Sequence, residues 1–185
     1  MSMARITRKP LQFIGHLERY VWACLHCHQK EVVDLGCKDG YGSNILSSFA
    51  GKITLLDNDQ WRLDKAKALY KFQCPVEFKN VDLEQKTIGG PYDVIVAFEI
   101  IEHVANRDFL LTNIVQSLRP GGILLFSVPH MIENECHTHL YDEGGIKDFI
   151  GKYLTITEFY VQDKVGISGK PSLFPPKGYV GVAQL

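Results

Sequence analysis

Two carboxylates and a histidine, Glu99, Glu102 and His103, stand at positions i, i+3 and i+4 immediately after an apolar run. On a helix that spacing gathers three side chains on one face. An imidazole with the ordinary pKa of about 6.5 accepts the proton of a hydroxyl while that oxygen attacks an electrophile, and a neighbouring carboxylate orients the ring. Glu102 and His103 are therefore the candidate catalytic pair. His130, His137 and His139 follow further along the chain, and imidazoles with carboxylates also suit a divalent cation that polarises the same hydroxyl. The competing reading is local: Glu102 pairs with a neighbour, His103 packs, and the later histidines meet solvent.

A second group of residues points to a nucleoside. Asp34-Leu35-Gly36-Cys37-Lys38-Asp39-Gly40-Tyr41-Gly42 is a glycine-rich turn between a strand and a helix, where a side chain would block a ligand's approach to the backbone. About twenty residues on, Leu56-Asp57-Asn58-Asp59 ends the next apolar run, and a carboxylate there can accept both hydroxyls of a ribose. Taken alone, the glycines would signify only a tight turn. The dinucleotide pattern G-x-G-x-x-G, read from Gly36, would need glycine at Lys38 and Tyr41, so a nicotinamide-dependent oxidoreductase is disfavoured. Cys24-x-x-Cys27-His28 has the form of a haem-attachment or zinc segment, but it lies within an amphipathic stretch without a second cysteine pair, and burial of both thiols is expected.

The elements that must position these groups alternate in type. A leading helix over 13–29 carries apolar residues at Phe13, Leu17, Tyr20, Val21, Cys24 and Leu25, the helical period. Short β-rich runs follow at 32–35, 53–57, 76–78, 93–97 and 122–128, separated by helices near 42–50, 60–71 and 106–118. Such alternation predicts a Rossmann-like, doubly wound α/β fold with ligands at the carboxyl ends of parallel strands. After a helix near 143–151, the runs 154–160 and 179–183 flank a loop holding Pro171, Pro175 and Pro176. They predict an antiparallel C-terminal edge hairpin on a mostly parallel, seven-stranded sheet.

Composition places this fold in one domain over residues 1–185, with a ragged start over 1–12. The chain is 45% hydrophobic and 22% charged, with a net charge of −1, so no global field draws it to nucleic acid or membrane. Neither a signal peptide nor a run of apolar residues long enough to span a bilayer is visible. Five cysteines without a disulfide-like pattern agree with a reducing compartment. A soluble, cytoplasmic protein is expected.

The motifs together resemble those of the class I S-adenosylmethionine (SAM) dependent methyltransferases. The glycine turn and Asp57 resemble the first two motifs, Asn80-Val81-Asp82-Leu83 the third, and Pro91-Tyr92-Asp93-Val94-Ile95-Val96-Ala97-Phe98-Glu99 the fourth, with Leu118-Arg119-Pro120-Gly121-Gly122 before the fifth strand. The resemblance implies SAM as cofactor, surrounded by Arg19, Tyr20, Asp34, Gly36, Cys37, Gly40, Asp57, Asn58, Asp82, Leu83 and Phe98. Lys38 stands where the family has glycine, which requires either a negative φ there or a shifted cofactor. Beside the methionine carboxylate a lysine could pair with it; beside the sulfonium it would repel.

Glu-x-x-Glu-His with a later His-x-His resembles the small-RNA 3′-terminal 2′-O-methyltransferases, and Glu-x-x-Glu-His also resembles ubiquinone-biosynthesis O-methyltransferases. That likeness implies a divalent cation held by Glu99, Glu102 and His103 with His137 or His139. The Asn/Asp-Pro-Pro-Tyr/Phe signature of many amino-group methyltransferases is absent after the fourth strand, where Phe98-Glu99-Ile100-Ile101 stands. A hydroxyl on a small molecule, a sugar or an RNA ribose is the expected acceptor. The alternative is a non-catalytic SAM-fold module that binds a partner.

Overall fold

The computed structural model describes residues 10–133, 135–164, 166–169 and 176–185. The side chain of Phe13 and the prolines at 171 and 175 lie outside the described part. Helix α1 (Pro10–Cys27) leads into β1 (Glu31–Leu35), followed by α2 (Tyr41–Leu46), β2 (Lys52–Asp57), α3 (Gln60–Leu69), β3 (Val76–Asn80) and β4 (Tyr92–Phe98). A 3₁₀ turn (Ile101–His103) precedes α4 (Arg107–Ser117), β5 (Leu118–Pro129), α5 (Glu143–Gly151), β6 (Thr155–Gln162), β7 (Ile167–Ser168) and β8 (Gly178–Gln184).

One sheet runs β3-β2-β1-β4-β5-β8-β6-β7. The strands from β3 to β5 are parallel, and β8 pairs antiparallel with both β5 and β6. The sheet thus carries one strand more than the expected seven, the two-residue β7, which pairs with the end of β6. β8 inserts between β5 and β6, so the late hairpin occupies the edge with its second strand inward.

Burial on both faces explains the continuous apolar strands. β1 and β4 bury Val33, Leu35 and Ile95 toward α4 and α5, and Val32, Val94 and Val96 toward α1, α2 and α3. Side-chain caps start three of the helices: Asp59 accepts from Trp61 N and Arg62 N, Asn106 from Phe109 N, and Asp142 from Gly145 N, each satisfying amides that have no helical partner.

The leading helix departs from its expected face. Leu17, Val21 and Leu25 are exposed, whereas Tyr20, Ala23, Cys24 and Cys27 are buried. The helix ends two residues early because Gln29 takes a left-handed backbone, φ 55°, which turns the chain into β1. Cys24 and Cys27 are free thiols in the core, and burial pushes both pKa values up.

Candidate active site

The first strand turn sits at the sheet's crossover between β1 and β4, where α/β folds place ligands. Gly36 has φ 64°, and a side chain there would meet Ile100 Cδ1 at 2.8 Å. Lys38 also takes the left-handed region, φ 51°. Of the two alternatives for Lys38, the negative φ is therefore excluded, and a shifted cofactor is the one that stays open. The physical reason is its amide, which must point back to donate to Asp57 Oδ2 at 2.8 Å. Asp57 Oδ1 accepts from Asp59 N at 2.9 Å, so two backbone amides fix this carboxylate at the end of β2.

A cavity of about 450 Å³ opens beside that carboxylate, a volume typical of ligand sites. Asp57, Asn58, Val81, Asp82 and Leu83 line it, and Gly36, Lys38, Glu99, His103 and Cys136 close its other end. A second cavity of about 340 Å³ adjoins it, lined by Arg19, Tyr20, Cys37, Phe98, Glu102 and His137 among others. The two share Gly36, Lys38, Glu99, His103 and Cys136. Nearly all the cofactor residues expected from sequence thus line one or the other.

Asp34 and Gly40 line neither. Asp34 is fully buried and accepts from Ser43 Oγ at 2.6 Å and from Tyr20 OH at 3.3 Å. Burial pushes its carboxyl up to about 7 against these two donors. Gly40, φ 78°, leaves no room for a Cβ beside Ala66 and Leu55. Both residues support the turn from behind.

The catalytic segment is not one helical face. Glu99 has φ 52° and only Ile101–His103 form a turn, so Glu99 is aimed across the strand ends. Its Oε1 lies 2.8 Å from Arg19 Nη1 and accepts from Ser127 Oγ at 3.1 Å. Glu102 goes inward: it is fully buried, and neither carboxylate oxygen has a hydrogen-bond partner. Burial, with nearby Glu99 adding repulsion, pushes its carboxyl up to about 8.

His103 stands between the cavities, with Nδ1 2.9 Å from Cys136 O and Nε2 3.8 Å from Glu102 Oε1. A carbonyl only accepts, so Nδ1 carries the proton and Nε2 presents its lone pair. Burial holds this ring below the usual histidine pKa. His137 is arranged alike, its Nδ1 2.7 Å from Ile132 O, and its ring centroid lies 4.8 Å from that of His103.

One ligand atom each of Glu102, His103 and His137 fall within 4.8 Å of one another. Glu99 and His139 do not belong to this group. Glu99 is engaged by Arg19, and His139 Nε2 lies 3.3 Å from Ala105 O. His130 is apart too, against Tyr179 OH at 2.7 Å. Three contributors were not legible in the sequence: Ser127, Gln162, and Glu84, which accepts from Ala105 N at 2.5 Å and Asn106 N at 3.1 Å. They act through tertiary hydrogen bonds, which leave no periodicity or motif.

Comparison with known proteins agrees with this fold. A family described as a methyltransferase domain matches residues 33–124. A probable SAM-dependent methyltransferase of Mycolicibacterium smegmatis is 26% identical over 151 residues, 76% of this chain and 56% of that protein. A ubiquinone biosynthesis O-methyltransferase of Rickettsia canadensis is 30% identical over 98 residues, 52% of this chain and 42% of that protein. The chain thus spans about half the length of these relatives. In structure it is similar to the N-methyltransferase NodS of Bradyrhizobium japonicum in complex with S-adenosylhomocysteine, with a TM-score of 0.72 and 16% identity over 98% of this chain and 90% of that one. No described helix is long and apolar enough to cross a membrane.

Proposed function

We propose, starting from a chain that belongs to the class I SAM-dependent methyltransferase superfamily, that it transfers a methyl group from SAM to a hydroxyl oxygen at the junction of the two cavities. The observation that carries this reading is the junction itself: the wall shared by the larger and smaller cavities includes His103, and Glu102 and His137 stand just beyond it. The O-methyltransferase among the relatives supports oxygen over nitrogen as the acceptor.

The residues present fit the cofactor. Each Asp57 oxygen accepts one backbone amide and keeps lone-pair capacity for a ribose hydroxyl. Asp82 and Leu83 border the same cavity for the base, while Arg19, Tyr20, Cys37 and Phe98 border the smaller one for the amino-acid end. When bound, SAM supplies an electrophilic methyl group on a sulfonium. The chain's part is to exclude water, hold the acceptor in line and take its proton. Nε2 of His103 is the acceptor for that proton, since Nδ1 is committed to Cys136 O and the lowered pKa keeps the ring neutral at pH 7. Burial pushes the Glu102 carboxyl toward its neutral form, which weakens its pull on that proton.

A second reading is favoured by the unpartnered oxygens of Glu102. A buried carboxylate without hydrogen bonds is costly, and a divalent cation held by Glu102, His103 and His137 would offset that cost. Both rings fit that role, because metal-bound histidines characteristically donate their other nitrogen to a carbonyl. A bound cation would polarise the acceptor hydroxyl.

Chelation separates the two. With a cation, chelator abolishes methyl transfer and His137→Ala does the same, while SAM affinity stays nearly intact. With His103 acting alone, transfer survives chelator and falls about a hundredfold in His103→Ala. Transfer that persists both in chelator and in His103→Ala contradicts both readings, and leaves proximity as the source of rate.

A further inference from the structure

Gln162 ends β6, four strands from β1 in the sheet order, yet it is only 2% exposed and touches the site through one intermediary, Arg19. Its Oε1 accepts from Arg19 Nε at 2.6 Å. Its Nε2 donates to Gly15 O at 3.0 Å and to Glu18 Oε2 at 2.9 Å. Glu18 Oε1 in turn accepts from Ile167 N at 2.9 Å. The amide thus stands between a cation and an anion, with its oxygen toward one and its nitrogen toward the other. Only a carboxamide of this length satisfies both at once. A carboxylate would face Glu18 with like charge, and an apolar side chain would take this partner from Arg19 Nε and from Glu18 Oε2.

We propose that Gln162 is a positioning residue that sets the plane of the Arg19 guanidinium, and through it the Glu99 carboxylate on the wall between the two cavities. The proposal rests on the reading of the smaller cavity as the place of the cofactor's amino-acid end. A guanidinium is planar, so fixing Nε fixes the direction of Nη1. From there Nη1 reaches Glu99 Oε1 at 2.8 Å and Ser127 Oγ at 3.2 Å. Glu99 needs that hold, because its backbone is left-handed and its carboxylate shares the wall with buried Glu102. Without Arg19 in place, the Glu99 carboxylate would lose its counter-charge in poorly solvated space beside the buried Glu102 carboxyl.

The test uses four proteins: wild type, Gln162→Met, Gln162→Glu, and the double variant Gln162→Glu/Glu18→Gln. The double variant exchanges polarity: the carboxylate now at position 162 accepts from Arg19, and the amide now at position 18 donates to that carboxylate while still accepting from Ile167 N. Gly15 O loses its donor in both variants that carry Gln162→Glu, so the comparison between those two isolates the pairing with position 18. Two probes are titrated by calorimetry, S-adenosylhomocysteine and 5′-methylthioadenosine, which lacks the amino-acid arm. Exchange of the Arg19 Nε–H proton with solvent is followed by NMR.

Gln162→Met weakens S-adenosylhomocysteine about tenfold, the cost of one misplaced charged hydrogen bond, and leaves 5′-methylthioadenosine within about twofold. Its Arg19 Nε–H exchanges faster. Gln162→Glu alone shows the same losses, and the double variant regains most of the affinity and of the slow exchange relative to it. Equal loss of both probes, or a double variant that regains melting temperature without regaining S-adenosylhomocysteine affinity, would show that Gln162 only glues α1 to the sheet. If Gln162→Met fails to fold, the Gln162→Glu and double-variant pair decides by the same criteria. A wild-type chain that binds neither probe defeats the cofactor reading, and Arg19 Nε–H exchange across the variants then decides the role of Gln162 separately: slow in wild type and the swap but fast in Gln162→Met supports it, unchanged exchange overturns it.

Discussion

At the scale of single residues, the site is built from conformations that side chains ordinarily avoid. Lys38 and Glu99 both lie at positive φ, a region costing a non-glycine residue about 1–2 kcal/mol. In Lys38 that cost secures one backbone hydrogen bond to Asp57, which glycine would make as well. Lys38→Gly is therefore expected to fold with at least wild-type stability, gaining up to about 1 kcal/mol, and to bind SAM at least as tightly. A large loss of affinity by calorimetry would show instead that the ammonium pairs with the cofactor carboxylate. Asp34 makes a different prediction. Burial raises its folded-state pKa from the usual carboxylate range to about 7, so the folded chain binds a proton that the unfolded chain has released. Its contribution is complete below about pH 4 and is lost as pH rises through 7. Asp34→Asn mimics the protonated form, so its stability relative to wild type should improve between pH 5 and 8 in urea titrations. A difference that stays constant with pH would show that Asp34 is ionised throughout this range.

At the scale of elements, the strands and helices were legible because parallel strands buried on both faces read as short apolar runs, and all five of the parallel strands fall where those runs lie. The glycine turn and Asp57 were legible for a related reason: close backbone approach restricts residue type locally. What sequence spacing could not show was the path of the chain after β4. The i, i+3, i+4 pattern of Glu99, Glu102 and His103 reads as one helical face only if the backbone is helical from Glu99 onward, and a left-handed residue at 99 breaks it. His137 joins the group through the segment after β5, with Thr138 Oγ1 donating to Glu102 O at 3.0 Å, a contact with no signature in either segment. The face of α1 was misleading for another reason. Leu17, Val21 and Leu25 have the same period as the buried set, and period alone does not choose between two apolar stripes. The seating of α1 can be tested at α2, where a Cβ on Gly42 would stand 2.1 Å from Tyr20 Cζ. Gly42→Ala should destabilise the fold by about 1–3 kcal/mol through overpacking and displace Tyr20 from Asp34. Paired with Tyr20→Leu it should recover part of that loss in thermal melts; an additive double variant would mean that the two sites do not touch.

For the whole molecule, the sheet brings together groups distant in sequence: Arg19 on α1, Asp57 at the end of β2, Glu99 and Glu102 after β4, and His137 after β5 all meet at the strands' carboxyl ends. The walls of the smaller cavity come from α1, the glycine turn and the segment after β5, and Ile132 on its rim is 45% exposed. In the proposed reading the acceptor approaches over this partly exposed rim, whereas the cofactor side rests on backbone amides and buried carboxylates. This asymmetry explains why the cofactor class is readable from motifs and the acceptor is not. In the proposed reading the larger cavity holds the nucleoside of SAM against Asp57, with the sulfonium directed to His103 and the amino-acid end to the smaller cavity. Calorimetric titration of wild type and Asp57→Ala with S-adenosylhomocysteine, with NAD as the control ligand, tests it most directly. The account predicts saturable binding of S-adenosylhomocysteine by the wild type, a loss of about tenfold or more in Asp57→Ala, and no binding of NAD; equal affinity in the two proteins, or binding of NAD in place of S-adenosylhomocysteine, would contradict it.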